Sequence, residues 1–130
     1  TKHVEVFVYN DYRRFQAFGG QSGLQSLAAH TVSVLNAVTA IYRAPPTNSA
    51  QFPYTVQVVL VGQQTFLEAD PWEASVTMSG AETDCSSLLG LFNEHGLTQM
   101  QAGRSPESDN RVLLSGRDFD GSTVGLAGVS

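Results

Sequence analysis

The sequence predicts an α/β fold, a parallel or mixed sheet of about four strands with two helices, and three observations predict it. Val4, Val6 and Val8 alternate with Glu5, Phe7 and Tyr9, so both faces of this run are apolar apart from Glu5. Such a run suits a strand buried on both sides. Residues 54–61 (YTVQVVLV) are β-branched and nearly all apolar, which suits a central strand. Between the two, Leu24, Leu27, Ala28, Leu35, Val38, Ile41 and Tyr42 recur at helical spacing. Strand, long helix, strand is a βαβ unit, whose strands are parallel and whose crossover is right-handed.

The elements follow in order. Asn10-Asp11 ends the first strand, and the glycines of residues 16–23 predict a loop. Ser22 is the candidate cap of a helix over residues 22–43, which stops before Pro45-Pro46. Residues 44–53 read as a polar loop, 54–61 as a strand and 62–80 as irregular, with a turn at Asp70-Pro71-Trp72. A second helix is expected over 82–95, with Leu88, Leu89, Leu91 and Phe92 inward and Gly96 at its C-cap. A polar loop over 99–109 leads to a short buried strand at 110–115. Asp118-Phe119-Asp120-Gly121 predicts a turn, and residues 123–129 a last strand. Two helices for this sheet leave one of its faces short of cover.

Composition bounds the function. A chain of 130 residues suits one domain, and 42 % hydrophobic with 15 % charged residues is a globular composition. Seven Lys and Arg against twelve Asp and Glu give a formal net charge of −5. The basic residues are single or paired, as at Arg13-Arg14, and a phosphate-tracking surface needs them clustered. Nucleic acid is therefore not an expected partner. The same scarcity argues against docking on an anionic membrane, and no apolar run approaches the ~18 residues of a membrane span. A single cysteine, Cys85, excludes an internal disulfide and any multi-cysteine metal site.

Few constellations carry chemistry. His3, His30 and His95 form no i, i+4 pair and no His-Glu-x-x-His, so they read as structural. Cys85 has no basic neighbour and reads as a buried inert thiol. Residues 19–23 (GGQSG) precede a helix but lack the Lys-Ser/Thr ending of a phosphate loop. Glu5 is the one charge in an apolar strand, so its carboxylate needs an ion, an Arg or hydrogen bonds unless it reaches solvent. Asp118 and Asp120 read as turn residues that cap their own backbone.

The run Asn110-Arg-Val-Leu-Leu-Ser-Gly-Arg-Asp-Phe-Asp-Gly-Ser-Thr-Val-Gly-Leu-Ala127 resembles a segment of the reprolysin (adamalysin/ADAM) zinc metalloproteases. Residues 2–8, 58–62 and 88–92 resemble that family's first two strands and second helix, in matching order. The resemblance implies a metzincin upper subdomain: a mixed, mostly parallel twisted sheet of about four to five strands with two main helices and an antiparallel edge strand. It makes residues 1–130 the N-terminal part of a metalloprotease catalytic domain and the complete protein a zinc endopeptidase. Thr123, Val124, Gly125, Leu126 and Ala127 match the cleft rim that pairs with a peptide substrate as an added strand, and glycines at 121 and 125 keep that backbone approachable. No residue of this chain is assigned a catalytic role. The zinc ligands and general base would lie in the C-terminal remainder of the domain, an expected partner of this chain. Glu5 matches a calcium ligand of many members, but Gly90 stands where the second, acidic ligand is expected, with Asp84 the nearest acid before it. The resemblance also implies an extracellular place, secreted or in a cell-surface ectodomain.

Two other readings compete. One is a non-enzymatic peptide-binding domain of the same ancestry. The other is an unrelated α/β ligand-binding domain of the von Willebrand type, whose Asp-x-Ser-x-Ser motif is missing at residues 10–14 (NDYRR).

Overall fold

The computed structural model describes residues 1–43 and 55–128. Strand β1 (Lys2–Asn10) is followed by a short helix α1 (Tyr12–Ala17), a 3-10 turn (Gly20–Gly23) and the long helix α2 (Leu24–Arg43). Then come β2 (Val56–Thr65), the two-residue strands β3 (Met78–Ser79) and β4 (Glu82–Thr83), helix α3 (Cys85–Gln101) and β5 (Asn110–Leu114). The five strands among the described residues lie in two sheets: a parallel one in the order β2-β1-β5 and an antiparallel pair β3-β4. The βαβ expectation holds, since β1 and β2 are parallel neighbours with Val4 opposite Val58.

The alternation in β1 builds two cores. Val6 and Val8 face Leu35 of α2, while Phe7 and Tyr9 join Phe66, Trp72, Leu88 and Phe92. Both sheet faces are therefore covered, one by α2 and one by α3, and the expected uncovered face does not exist. Each large apolar side chain so buried contributes roughly 1.5–3 kcal/mol. The central strand is β1, with Val8 and Tyr9 fully buried. Among the described residues β2 pairs only with β1, so the expectation that residues 54–61 form the central strand is corrected. The expected strand starts at Tyr54, outside the described residues, as does the predicted loop over 44–53.

Four local expectations also change. Residues 12–17, partly read as a loop, form α1 because the Asp11 carboxylate accepts from Arg14 N at 2.8 Å and caps it. Ser22 does not cap α2; its hydroxyl donates to Gly19 O at 3.1 Å within the 3-10 turn. Helix α3 starts at Cys85 with Asp84 as its cap and runs through Gly96 to Gln101, ending on Ala102. Gly96 lies inside the helix because the Arg111 side chain packs there: a Cβ would meet its Nε at 2.5 Å. The stretch Gly20–Arg43 is, by length and composition, long and apolar enough to cross a membrane, against the expectation from apolar runs. Its small and hydroxyl residues carry no acid, Lys or Arg between Phe15 and Tyr42, and its Leu27, Thr31 and Leu35 are buried.

The largest correction concerns the predicted last strand. Residues 123–128 form no helix or strand, and residues 129–130 lie outside the described residues. The antiparallel edge strand expected over Thr123, Val124, Gly125, Leu126 and Ala127 is therefore not formed. A strand needs a neighbour to take its backbone groups, and among the described residues none lies beside this segment.

Candidate functional site

The carboxyl ends of the three parallel strands converge on one polar layer, where open α/β sheets commonly place ligands. Asn10, fully buried at the end of β1, donates to Gln63 Oε1 at 3.1 Å and to Thr65 Oγ1 at 3.2 Å. Its own oxygen accepts from Arg14 Nε and Thr31 Oγ1, both at 3.1 Å. Asp11, next in sequence, accepts from Arg14 N, from Gly116 N at 3.0 Å and from the Ser115 hydroxyl. These bonds tie the turn after β1 to the turn after β5. Gly116 permits the approach, because a Cβ there would lie 2.6 Å from Arg14 N.

Arg117 closes this layer. Its side chain is fully buried and its Nη2 donates to Asp70 Oδ2 at 3.1 Å and to Glu73. Its Nε stands 4.0 Å from Asp11 Oδ2, and its Nη1 donates to Thr83 Oγ1 at 3.4 Å. Burial pushes the Asp70 carboxyl above the usual range, while the Tyr12 N–H and Arg117 pull it back. A buried guanidinium among acids is costly to break once formed, so the loop after β5 has a fixed course.

That course carries the chain to residues 118–128. Asp118 O accepts from Thr83 N at 2.7 Å, and Asp120 N donates to Thr83 O at 3.0 Å. The Asp120 carboxylate accepts from Cys85 N at 3.0 Å, and the Glu82 carboxylate accepts from Gly121 N at 2.7 Å. The turn expectation for 118–121 holds in outline, since Thr123 N donates to Asp120 O at 3.1 Å. Asp120, however, caps α3 rather than its own turn. Beyond this base the chain is exposed: Val124 is 95 % exposed, Leu126 49 %, and nothing lies within 4 Å of a Cβ built on Gly125. Residues 123–127 thus form an open segment on an anchored base.

The other expected site residues do not gather into a site. Glu5 is exposed, not buried. Its backbone N donates to Asp109 Oδ2 at 2.8 Å and its carbonyl accepts from Asp109 N at 2.9 Å. No partner of its carboxylate is found among the described residues. Asp84 gives its carboxylate to Ser87 N at 3.0 Å, and Gly90 is exposed. No three His, Cys, Asp or Glu side chains among the described residues are placed to hold a metal. Cys85 is buried, and burial with Asp120 and Asp84 nearby raises its thiol pKa, as an inert thiol requires. His95 packs edge-on against Tyr9, Phe66 and Trp72, each 5.8 Å away, and burial lowers its pKa.

The sequence reading missed the Asp11–Arg117–Asp70 layer. Its only signal was placement: Asp11, Asp70 and Arg117 each stand two or three residues past an apolar stretch, with nothing in the spacing to pair them.

No family model matches the chain. It is 28 % identical over 127 residues to mouse (Mus musculus) disintegrin and metalloproteinase domain-containing protein 12. The alignment covers 98 % of this chain and 12 % of that protein, so the chain spans a small part of the relative's length. The likeness points to metalloproteinase-related ancestry.

Proposed function

We propose that this chain is the peptide-holding part of a reprolysin-like zinc endopeptidase domain, which hydrolyses peptide bonds in proteins outside the cell, as a secreted enzyme or a cell-surface ectodomain. An extended peptide would lie along Thr123, Val124, Gly125, Leu126 and Ala127 and take up their backbone groups as an added strand. The observation that carries this reading is the exposed stretch 124–127, outside any helix or strand, standing on a base fixed by Asp118, Asp120, Gly121 and the Thr123 N–H. Backbone groups that lie outside a ladder can pair with an added strand. The similarity to a disintegrin and metalloproteinase protein supports the reaction class.

No group of His, Cys, Asp or Glu among the described residues is placed to hold zinc. On this reading zinc is held by residues outside the chain, in the remainder of the catalytic domain. This chain binds and aligns the peptide. Main-chain pairing gives affinity with little sequence preference, so side-chain selection belongs to pockets elsewhere.

The test is the intact mass of the protein under denaturing conditions together with a zinc assay. Zinc at one equivalent, with a His-Glu-x-x-His segment on the same or an associated polypeptide, is the expected result. A protein that lacks such a segment, binds no zinc and still binds peptides is a non-enzymatic peptide-binding domain instead.

A further inference from the structure

Met78 sets its thioether against the layer that Arg117 closes. It lies in β3 opposite Thr83 of β4 and is 38 % exposed. Its sulfur accepts from Thr83 Oγ1 at 3.3 Å and from Arg117 Nη1 at 3.9 Å. Thr83 Oγ1 in turn accepts from Arg117 Nη1 at 3.4 Å. The three atoms form a closed triangle in which both donors face one sulfur. Thr83 and the Arg117 side chain are fully buried, so Met78 is the member of the triangle that reaches solvent.

The acceptors on Arg117 Nη1 are poor. A thioether sulfur accepts weakly, and 3.4 Å is long for a bond to a hydroxyl oxygen. Nη2 of the same guanidinium, by contrast, has two carboxylates, those of Asp70 and Glu73. A buried cation gains from a better acceptor on its weaker side, because charge-assisted bonds are the strong ones. Oxidation of the thioether to a sulfoxide supplies one. A sulfoxide disrupts apolar cores, but Met78 belongs to neither core cluster.

We propose that Met78 is an oxidation site: a hydroperoxide converts its thioether to the sulfoxide, and the new oxygen accepts from Arg117 Nη1 and Thr83 Oγ1. A sulfur lone pair forms the S–O bond as the peroxide O–O bond breaks. The second oxygen leaves as water or an alcohol with the peroxide's proton, and sulfur loses the two electrons that the peroxide gains. Oxygen added from the solvent side turns onto the two donors through the rotatable bonds of the side chain. Oxidation thereby tightens the anchorage of residues 118–120, since Thr83 N donates to Asp118 O at 2.7 Å and Thr83 O accepts from Asp120 N at 3.0 Å. None of this depends on peptide pairing at residues 123–127.

The experiment treats the protein with hydrogen peroxide and follows each methionine by peptide mass mapping, with urea unfolding before and after. The chain has two methionines, Met78 and the less exposed Met100. Met78→Leu, treated in parallel, subtracts the effects of oxidation elsewhere. Met78 should take up one oxygen before Met100 does. In the unsubstituted protein, and not in Met78→Leu, oxidation should raise the urea midpoint. The unfolding constant should fall about tenfold, the scale of one hydrogen bond to a charged group. The Arg117 Nη1 signal should also shift in nitrogen NMR spectra of the singly oxidised protein, and that shift decides if Met78→Leu does not fold. Met100 oxidised first, a midpoint that falls or stays on Met78 oxidation, a rise shared equally by Met78→Leu, or an unmoved Arg117 signal overturns the proposal.

Discussion

Replacing Arg117 with Met removes the cation of the buried layer and keeps much of its apolar bulk. The Arg117 side chain is fully buried, as are those of Asp11 and Asp70, while Glu73 is half exposed. In the variant Asp70 keeps the Tyr12 N–H at 2.8 Å but loses its 3.1 Å bond to Nη2. Asp11 keeps its Arg14, Gly116 and Ser115 bonds and loses the charge 4.0 Å away. Breaking a buried pair in this way costs about 3–5 kcal/mol, a large share of the roughly 5–15 kcal/mol that holds a domain together. Removing the half-exposed partner, Glu73→Ala, should cost no more than about 1 kcal/mol. Urea unfolding at pH 7 measures both.

The variant also has a pH signature. The Asp70 carboxyl is already pushed up by burial, and Arg117 is one of the groups pulling it down, so Arg117→Met raises it further. A carboxyl whose folded pKa exceeds its unfolded value contributes stability present at low pH and lost as pH rises through the folded pKa. The penalty should therefore shrink as pH falls from 7 toward the unfolded value of 3.8. A cost below about 1 kcal/mol, or one that grows on acidification, would refute the assignment of Arg117 as the staple of the layer.

Other outcomes follow from the same geometry. His95, whose pKa burial lowers below 6.5, lends stability that is complete above that value and lost as pH falls through the folded pKa. His95→Phe should remove that part of the acid-side slope in urea midpoints between pH 7 and 5. Asp120→Ala removes the carboxylate that accepts from Cys85 N, the first amide of α3, and leaves the Asp84 cap; it should cost about 1 kcal/mol by thermal unfolding, with faster exchange at the Cys85 amide. Gly125→Pro removes one backbone donor from an exposed segment. It should leave stability unchanged within about 0.5 kcal/mol and sharply weaken peptide binding, measured by calorimetry or by cleavage in the complete enzyme.

Much of the fold was legible because its signals are local. The double-sided alternation of Val4–Tyr9 gave a strand buried on both sides, although the central place was expected of residues 54–61, and the helical period over Leu24–Tyr42 gave the crossover. Residues 110–114 and the turn at 118–121 were also readable. Helix α1 was missed because six residues are too few for a period, and its cap works through Asp11, which reads equally well as a strand end. Gly96 looked like a C-cap because glycine's role there is room for Arg111, a contact fifteen positions away that no local pattern reports. The buried layer joins Asp11, Asp70 and Arg117, residues far apart in sequence, so only the folded chain shows it. For the rim, the resemblance implied an antiparallel edge strand over residues 123–127, and no strand forms there. Residues 124–128 are exposed and outside any strand, and among the described residues no neighbouring strand takes up their backbone groups.

Amide hydrogen exchange across residues 121–128, with and without a saturating unstructured peptide substrate, tests the peptide-holding role most directly. In the free protein the amides of Gly121 and Thr123 are held by Glu82 and Asp120 O, and those of 124–128 should exchange fast. Bound peptide should slow alternate amides, those of Thr123, Gly125 and Ala127 or those of Val124 and Leu126, since an added strand bonds every second residue of its neighbour on one edge. Unchanged exchange at all five, with peptide bound and protection appearing elsewhere, would show that substrate does not lie on this segment.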